Sequence, residues 1–217
     1  MTGAGSESGV SDVVEHDARS REILGRGFDG AATFAQMLAA EGELRGLIGP
    51  RELPRLWRRH VVNSAAVAPY LPASGSLVDV GSGAGLPGIV LALMRPDLQV
   101  HLVEPMQRRV SWLTEVSERL ELGNVVVHAS RVEDLHGELV AEAVTARAVA
   151  ALDKLARWTL PLVRLGGVLL AMKGQRAPEE VTKASGVLRR FGVTSVEVHD
   201  VDLYDDGDLT RVVEVRR

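Results

Sequence analysis

The chain has no cysteine, only three lysines and no run of 18 apolar residues. Without cysteine it can form no disulfide, no cysteine-ligated zinc site and no thiol nucleophile, and no other pattern predicts a metal site. The missing apolar run means that no transmembrane helix is predicted, and the polar start of the chain lacks the apolar core of a signal peptide. These absences predict a cytoplasmic protein without a membrane partner.

Acidic residues are concentrated at the two ends of the chain. The formal net charge is -4, but the acidic excess lies within residues 1–20 and 200–208, so the remainder is net basic. A local basic face, and with it a nucleic-acid partner, is compatible with this distribution. Residues 1–20 are also small and polar, and we predict that they form a disordered tail.

The hydrophobic pattern changes near residue 76. Apolar residues recur at helical spacing over 28–48 and 52–71, which predicts N-terminal helices within 28–71. Short apolar strands then alternate with helical stretches, and the last two strands, at 195–203 and 210–215, are too close together for a crossover helix. We predict a single α/β domain over 21–217, whose Rossmann-like core over 76–217 has a mainly parallel seven-stranded sheet ending in a β-hairpin.

A glycine-rich loop follows the first strand and opens a helix. Gly81, Gly83 and Gly85 allow tight turns and a close approach of the backbone to a ligand. A dinucleotide-binding loop needs glycine at the sixth position from Gly81, where this chain has Leu86. Asp79, just before the loop, would repel a pyrophosphate but suits the cationic methionine moiety of S-adenosylmethionine. The loop therefore favours S-adenosylmethionine as the cofactor.

Two further acidic stretches fit the same cofactor. Glu104 ends the second strand, 23 residues after Gly81, close to the spacing at which a carboxylate reaches ribose hydroxyls. Residues 130–134, after the third strand, lie where an adenine pocket would form. Each feature alone also fits a structural role, such as a helix cap. Their order along the chain predicts a class I S-adenosylmethionine-dependent methyltransferase.

Six segments resemble the ribosomal small-subunit RNA guanine-N7 methyltransferases, also called the glucose-inhibited division protein B family. They are residues 59–64, 68–71, 78–88, 131–134, 146–148 and 172–174. The resemblance runs from about residue 46 to residue 180, and the Gly-Leu-Pro-Gly run at 85–88 is its most specific part.

The resemblance implies cofactor contacts at Gly81, Leu86, Val132, Glu133 and Arg147. In place of the family's usual Ser-Arg-Ala, this chain has alanine before the arginine, so a serine contact is lost. The resemblance also implies methylation of a guanine in the helix-18 loop of 16S ribosomal RNA, near the decoding centre. The partner would be the 30S subunit or an assembly intermediate, and we expect a monomer.

Guanine N7 has an in-plane lone pair and no proton, so its methylation needs positioning rather than a general base. We predict that Arg147 and Lys173 do this as catalytic residues. The alternatives are a strand-end salt bridge for Arg147 and a solvated side chain for Lys173. Without cysteine, pyrimidine C5 methylation lacks its usual nucleophile. The fourth strand also lacks the Asp/Asn-Pro-Pro-Tyr/Phe motif of many exocyclic-amine methyltransferases.

Arg55, Arg58 and Arg59 lie beside Trp57 on one predicted helix. Arginines next to an aromatic side chain suit phosphate contact and base stacking, so these arginines and His60 are the candidate RNA-binding residues. A charged helix face that packs through Trp57, with His60 in the packing, is the alternative.

The sequence leaves two other functions open. One is a methyltransferase acting on another RNA, a small molecule or a protein. The other is an RNA-binding module with a vestigial cofactor site. Binding of S-adenosylmethionine and dependence of activity on RNA would separate them.

Overall fold

The computed structural model describes residues 13–15 and 17–217. Its helices are α1 (Ala18–Leu24), α2 (Phe28–Glu41), α3 (Gly88–Met94), α4 (Gln107–Arg119), α5 (Leu152–Thr159) and α6 (Ala177–Arg190). Its strands are β1 (Gly75–Val80), β2 (Leu98–Val103), β3 (Val125–His128), β4 (Ala141–Arg147), β5 (Val163–Lys173), β6 (Ser195–Val201) and β7 (Thr210–Arg216). Within the described residues, no helix is both long and apolar enough to cross a membrane.

The seven strands form one sheet in the order β3-β2-β1-β4-β5-β7-β6. Strands β1 to β5 pair in parallel, whereas β7 pairs antiparallel with both β5 and β6. The predicted mainly parallel sheet with a terminal hairpin is thus confirmed. Because the chain turns from β1 towards β2 on one side and β4 on the other, the carboxyl end of β1 is a topological switch point, where α/β folds bind ligands.

Alternate strand residues enter the two hydrophobic layers. Leu77 and Leu102 pack with α2, α3 and α4 on one face, whereas Val78 and Val103 pack with α5 and α6 on the other. This period of two follows from the pleat of the strands, and helices on both faces are what a parallel sheet requires.

The N-terminal helices differ from the prediction. Helix α2 ends at Glu41 rather than near residue 48, because Gly42 and the left-handed Gly46 turn the chain. The second predicted helix is a 3₁₀ helix (Pro50–Arg55), a π-helix (Leu56–Val61) and a second 3₁₀ helix (Val62–Tyr70). Two prolines inside it cannot donate an α-helical hydrogen bond.

The prediction of a disordered tail over residues 1–20 is wrong for residues 13–15 and 17–20, the part of it that the structure describes. Residues 1–12 and 16 lie outside the described residues, but Val14 is buried and α1 already begins at Ala18. Asp17 caps α1 by accepting the Ser20 N–H at 2.8 Å, which satisfies a donor that the helix leaves unpaired. A local capping signal and packing therefore order residues that look polar in composition.

Candidate active site: two cavities that share a wall

The glycine loop after β1 has left-handed backbone at Gly81, Gly83 and Gly85, with φ of +71°, +57° and +102°. A Cβ on Gly81 would lie 2.9 Å from Val149, and one on Gly85 would lie 2.7 Å from Ile89. A Cβ on Gly83 would meet nothing closer than a carbonyl oxygen at 3.7 Å. Packing therefore excludes a side chain at Gly81 and Gly85, whereas the missing side chain of Gly83 leaves the loop surface open.

This loop forms one side of a first cavity of about 680 Å³, at the carboxyl ends of β1, β2 and β4. The predicted cofactor residues that line it are Gly81, Gly83, Leu86, Glu104, Val132, Glu133 and Arg147. Asp79 and Gly85 do not line it. The structure thus brings most of the predicted cofactor site together at the switch point of the sheet.

Glu104 is held rigidly at the end of β2. Its side chain is 2% exposed, and its two oxygens accept the N–H groups of Gly83 and Met106, each at 3.0 Å. The guanidinium of Arg109 lies 3.6 Å from the same carboxylate. Because each carboxylate oxygen accepts more than one hydrogen bond, Glu104 retains capacity for two neighbouring hydroxyls of a ligand.

Asp79 lies behind the loop rather than in the cavity, so the predicted direct contact with the cofactor needs correction. One carboxylate oxygen accepts the Gly88 N–H at 3.0 Å, which ties the side chain to the start of α3. The other oxygen is buried and has no hydrogen-bond partner among the described residues. Burial raises the pKa of Asp79 to about 7, against the lowering effect of the Gly88 hydrogen bond.

Arg147 ends β4 and points to the segment before β1. Its guanidinium donates to the backbone carbonyls of Arg59 and His60, at 2.9 and 3.1 Å, and to Nδ1 of His60 at 2.8 Å. Burial lowers the pKa of Arg147 below its ordinary value, and the nearby carboxylate of Asp79 only partly offsets this effect. Three hydrogen bonds thus fix one cationic side chain at the edge of the first cavity.

A second cavity of about 1000 Å³ adjoins the first. It contains all of the predicted RNA-binding residues: Arg55, Arg58, Arg59 and His60. Four residues line both cavities: His60, Arg147, Ala148 and Val149. A ligand in the glycine-lined cavity and a ligand in the arginine-lined cavity would therefore meet at one shared wall.

The arginines of the second cavity are not equivalent. Arg55 and Arg59 are exposed and form no ion pair with any described residue. Arg58 pairs with Asp206 at 2.7 Å, and its guanidinium lies 3.7 Å from the centre of the Tyr204 ring. Arg58 is thus already engaged by the acidic loop, residues 202–208, which corrects its prediction as an open phosphate ligand.

Trp57 does not face RNA, so base stacking on Trp57 is a wrong prediction. It is 2% exposed, packs edge-on against Phe28 and donates its indole N–H to Ser20 Oγ at 3.1 Å. The segment packs on the rest of the protein through its tryptophan, because burying the ring removes a large apolar surface from water.

Lys173, at the end of β5, is neither solvated nor open to a phosphate. Its ammonium pairs with Glu180 at 2.9 Å, also donates to the Ala150 carbonyl, and is 9% exposed. It lines the second cavity, yet its charge is neutralised within the protein. Its catalytic role stays a prediction.

Three lining residues of the first cavity were missed by the sequence interpretation: Met106, Arg109 and Trp158. Met106 is close in the chain to Glu104, and that proximity is a signal that could have identified it. Trp158 comes from α5, and nothing in the local sequence places it there.

Comparison with known proteins agrees with this geometry. The family model described as rRNA small subunit methyltransferase G matches residues 29–204, a longer span than the predicted resemblance. A protein of Beutenbergia cavernae named ribosomal RNA small subunit methyltransferase G is 63% identical over 100% of this chain and 99% of its own. A protein of the same name from Thermobifida fusca is 52% identical over 82% of this chain and 75% of its own.

The solved structures that resemble this chain have low sequence identity to it, so the likeness shows only a shared fold. TYW2 of M. jannaschii, in complex with AdoMet, has a TM-score of 0.53 at 19% identity, covering 74% of this chain and 76% of its own. A SAM-dependent O-methyltransferase from Thermotoga maritima has a TM-score of 0.56 at 13% identity, covering 82% and 71%. The sheet is therefore that of a class I S-adenosylmethionine-dependent methyltransferase. Since the family model spans most of the chain and a full-length relative is identical at nearly two thirds of its positions, the chain belongs to the rRNA small subunit methyltransferase G family.

Proposed function

We propose that this protein transfers a methyl group from S-adenosylmethionine to N7 of a guanine in 16S ribosomal RNA. The observation that carries the proposal is the wall shared by the two cavities, since it would bring a methyl donor and a base together. The names of the relatives, which refer to RNA of the small ribosomal subunit, support the substrate class.

The first cavity suits S-adenosylmethionine. The missing Cβ of Gly83 keeps the loop surface open, and Glu104 offers carboxylate oxygens to the ribose hydroxyls. Val132 and Glu133 line the part of the cavity where the adenine would lie. When bound, S-adenosylmethionine supplies a methyl group activated on a positively charged sulfonium.

The side chains at the shared wall suit a nucleophile that has no proton to lose. Arg147 cannot act as a base, because a guanidinium stays protonated in proteins. Both ring nitrogens of His60 are engaged, one by Arg147 and the other by Glu52. The described residues of the wall therefore position their ligands rather than remove a proton, as guanine N7 requires.

The second cavity suits an RNA strand. Arg55 and Arg59 are exposed at its rim, where guanidinium groups can contact phosphates. We also propose that the target guanine lies in the helix-18 loop, and that the enzyme is a monomer that acts on the 30S subunit or its assembly intermediate in the cytoplasm. The family resemblance supports the position of the guanine, and a ribosomal substrate supports the location.

Methyl transfer from isotopically labelled S-adenosylmethionine to 30S particles tests the proposal. We expect label in ribosomal RNA, and nucleoside mass analysis should place it on 7-methylguanosine. Label on an exocyclic amine or a ribose would contradict the N7 assignment. Cofactor binding with no methylation of any RNA would contradict the substrate class.

A further inference from the structure

A chain of three side chains leads from the surface to the shared wall. Glu52, in the first 3₁₀ helix, lies 2.8 Å from Nε2 of His60, and Nδ1 of His60 lies 2.8 Å from Nη2 of Arg147. His60 is 20% exposed, and Glu52 is 41% exposed. The carboxylate, the imidazole and the guanidinium thus form one continuous hydrogen-bonded chain.

The direction of these hydrogen bonds follows from the chemistry of arginine. A guanidinium can only donate, so Nδ1 of His60 must be an unprotonated acceptor. The proton of a neutral imidazole is then on Nε2, which donates it to the carboxylate of Glu52. The arrangement fixes both the tautomer and the ring orientation of His60.

We propose that His60 and Glu52 are positioning residues for Arg147: Glu52 fixes the tautomer of His60, and His60 holds Arg147 at the wall between the two cavities. This inference rests on the proposed methyl transfer for its kinetic consequence. It replaces the sequence-based prediction of His60 as an RNA contact. A misplaced group at the meeting point of two ligands lowers the rate of transfer more than it lowers affinity for RNA.

Protonation of His60 would break this arrangement. An imidazolium donates from both nitrogens, so it would lose the hydrogen bond from Arg147 and repel the guanidinium. The charged groups that face His60 are Glu52, Arg59 and Arg147. Burial, together with the two arginines, lowers the pKa of His60, and Glu52 opposes them by raising it. The neutral form is thus favoured at neutral pH, and the hydrogen bond is lost as the medium becomes acidic.

Three variants separate positioning from other roles. Asparagine places its amide oxygen where Nδ1 of histidine lies, so His60→Asn keeps an acceptor for Arg147 and does not titrate. His60→Leu removes the acceptor, and Glu52→Leu removes the acceptor for Nε2. We expect His60→Leu to lower kcat by about ten- to a hundredfold with little change in the KM for 30S particles. Glu52→Leu should lower kcat less, and His60→Asn should restore most of it.

The pH profile supplies a second readout. We expect kcat of the wild type to fall at acidic pH more than kcat of His60→Asn, because only the wild type can protonate this position. Asp79 titrates in both proteins, so its effect cancels. The matched control is His199→Asn in the β6–β7 hairpin, since His199 forms the same kind of pair with Glu214, at 2.8 Å. That control should leave kcat and its pH profile unchanged.

Nitrogen NMR of the imidazole tests the hydrogen bonds without any assay of activity. With S-adenosylhomocysteine as the probe in the first cavity, His60 should show an unprotonated Nδ1 and a protonated Nε2 at neutral pH. The opposite tautomer would overturn the proposal even if the protein methylates RNA. Wild-type kcat in folded His60→Leu would also overturn it, as would a change confined to the KM for 30S particles. If the wild type proves inactive, the proposed function fails, and the tautomer still decides the positioning role.

Discussion

The carboxylate of Glu104 accepts the backbone N–H of Gly83 at 3.0 Å, so the end of β2 fixes the loop that follows β1. One side chain thereby shapes the loop and also presents acceptor oxygens to the first cavity. Losing it would remove the contact to the cofactor that we propose and would leave two backbone donors, on Gly83 and Met106, without their partner.

Glu104→Ala should weaken binding of S-adenosylmethionine by about 1–3 kcal/mol, the cost of leaving polar groups unpaired. Glu104→Gln should weaken binding of S-adenosylmethionine less than Glu104→Ala does, since its amide oxygen still accepts one hydrogen bond. Titration calorimetry measures both dissociation constants. A wild-type dissociation constant for the alanine variant would remove Glu104 from the cofactor site.

Glu142 offers a matched control for that comparison. It also accepts a backbone N–H, from Ser76 at 2.7 Å, but it lies at the other end of the sheet from the cavities. Glu142→Ala should lower thermal stability and leave the cofactor dissociation constant unchanged.

Gly83→Asp should abolish measurable binding of S-adenosylmethionine, because its side chain would enter the open side of the loop and add a charge. Gly192→Asp is the control, since Gly192 also has a positive φ, of +72°, with nothing within 4 Å of an added Cβ. Both variants carry the same backbone strain and the same charge. Equal loss of cofactor binding in the two would attribute the effect to folding rather than to the cavity.

The arginines of the second cavity should differ in their response to charge reversal. Arg55→Glu and Arg59→Glu should each raise the KM for 30S particles and flatten its salt dependence by about one unit of slope, as expected for one lost phosphate contact. Arg58→Glu should instead lower the melting temperature, because it places a second carboxylate beside Asp206. None of the three should change the affinity for S-adenosylmethionine.

These slopes are obtained by measuring the KM of methyl transfer to 30S particles at a series of salt concentrations. Arg190→Glu, an exposed arginine at the end of α6, is the control for overall charge. The same slope in Arg55→Glu, Arg59→Glu and the control would place the RNA surface elsewhere on the protein.

Stability should depend on the ionisation of Asp79. A folded-state pKa raised to about 7 means that folding favours the protonated carboxyl. The contribution of Asp79 to the free energy of unfolding is fully present below about pH 4, which is near the pKa of this carboxyl in the unfolded chain. It is lost as the pH rises through the folded-state pKa of about 7. Over this window the loss is up to about 1.4 kcal/mol per pH unit.

Asp79→Asn isolates that contribution, since an amide oxygen still accepts the Gly88 N–H but does not titrate. The melting temperature of the wild type should fall relative to the variant as the pH is raised from about 5 to about 8. A constant difference across this range would show that Asp79 has an ordinary pKa in the folded protein.

Local patterns in the sequence predicted the sheet and most of the first cavity. Alternating strands and helices need only a short window, and the loop from Gly81 to Leu86 carries its own conformational signature. The second cavity depends on contacts that are remote in the chain. Arg58 meets Asp206 across 148 positions, and Arg147 meets His60 across 87. The sequence did not predict that Arg58 pairs with the acidic segment near the end of the chain, because nothing local to either residue indicates the contact.

Trp57 shows a different reason for a wrong prediction. A tryptophan among arginines has the same local sequence whether it faces RNA or the interior. Its partners, Ser20 and Phe28, belong to helices that the sequence interpretation treated as a tail or as a separate element. The direction in which the ring points is set by that packing.

The two cavities become complete at different points of synthesis. The first is lined by residues 47–158, whereas the second also needs residues 203–210. Translation adds residues in order from the amino end. A growing chain therefore contains every lining residue of the first cavity before it contains the segment 203–210 that completes the lining of the second.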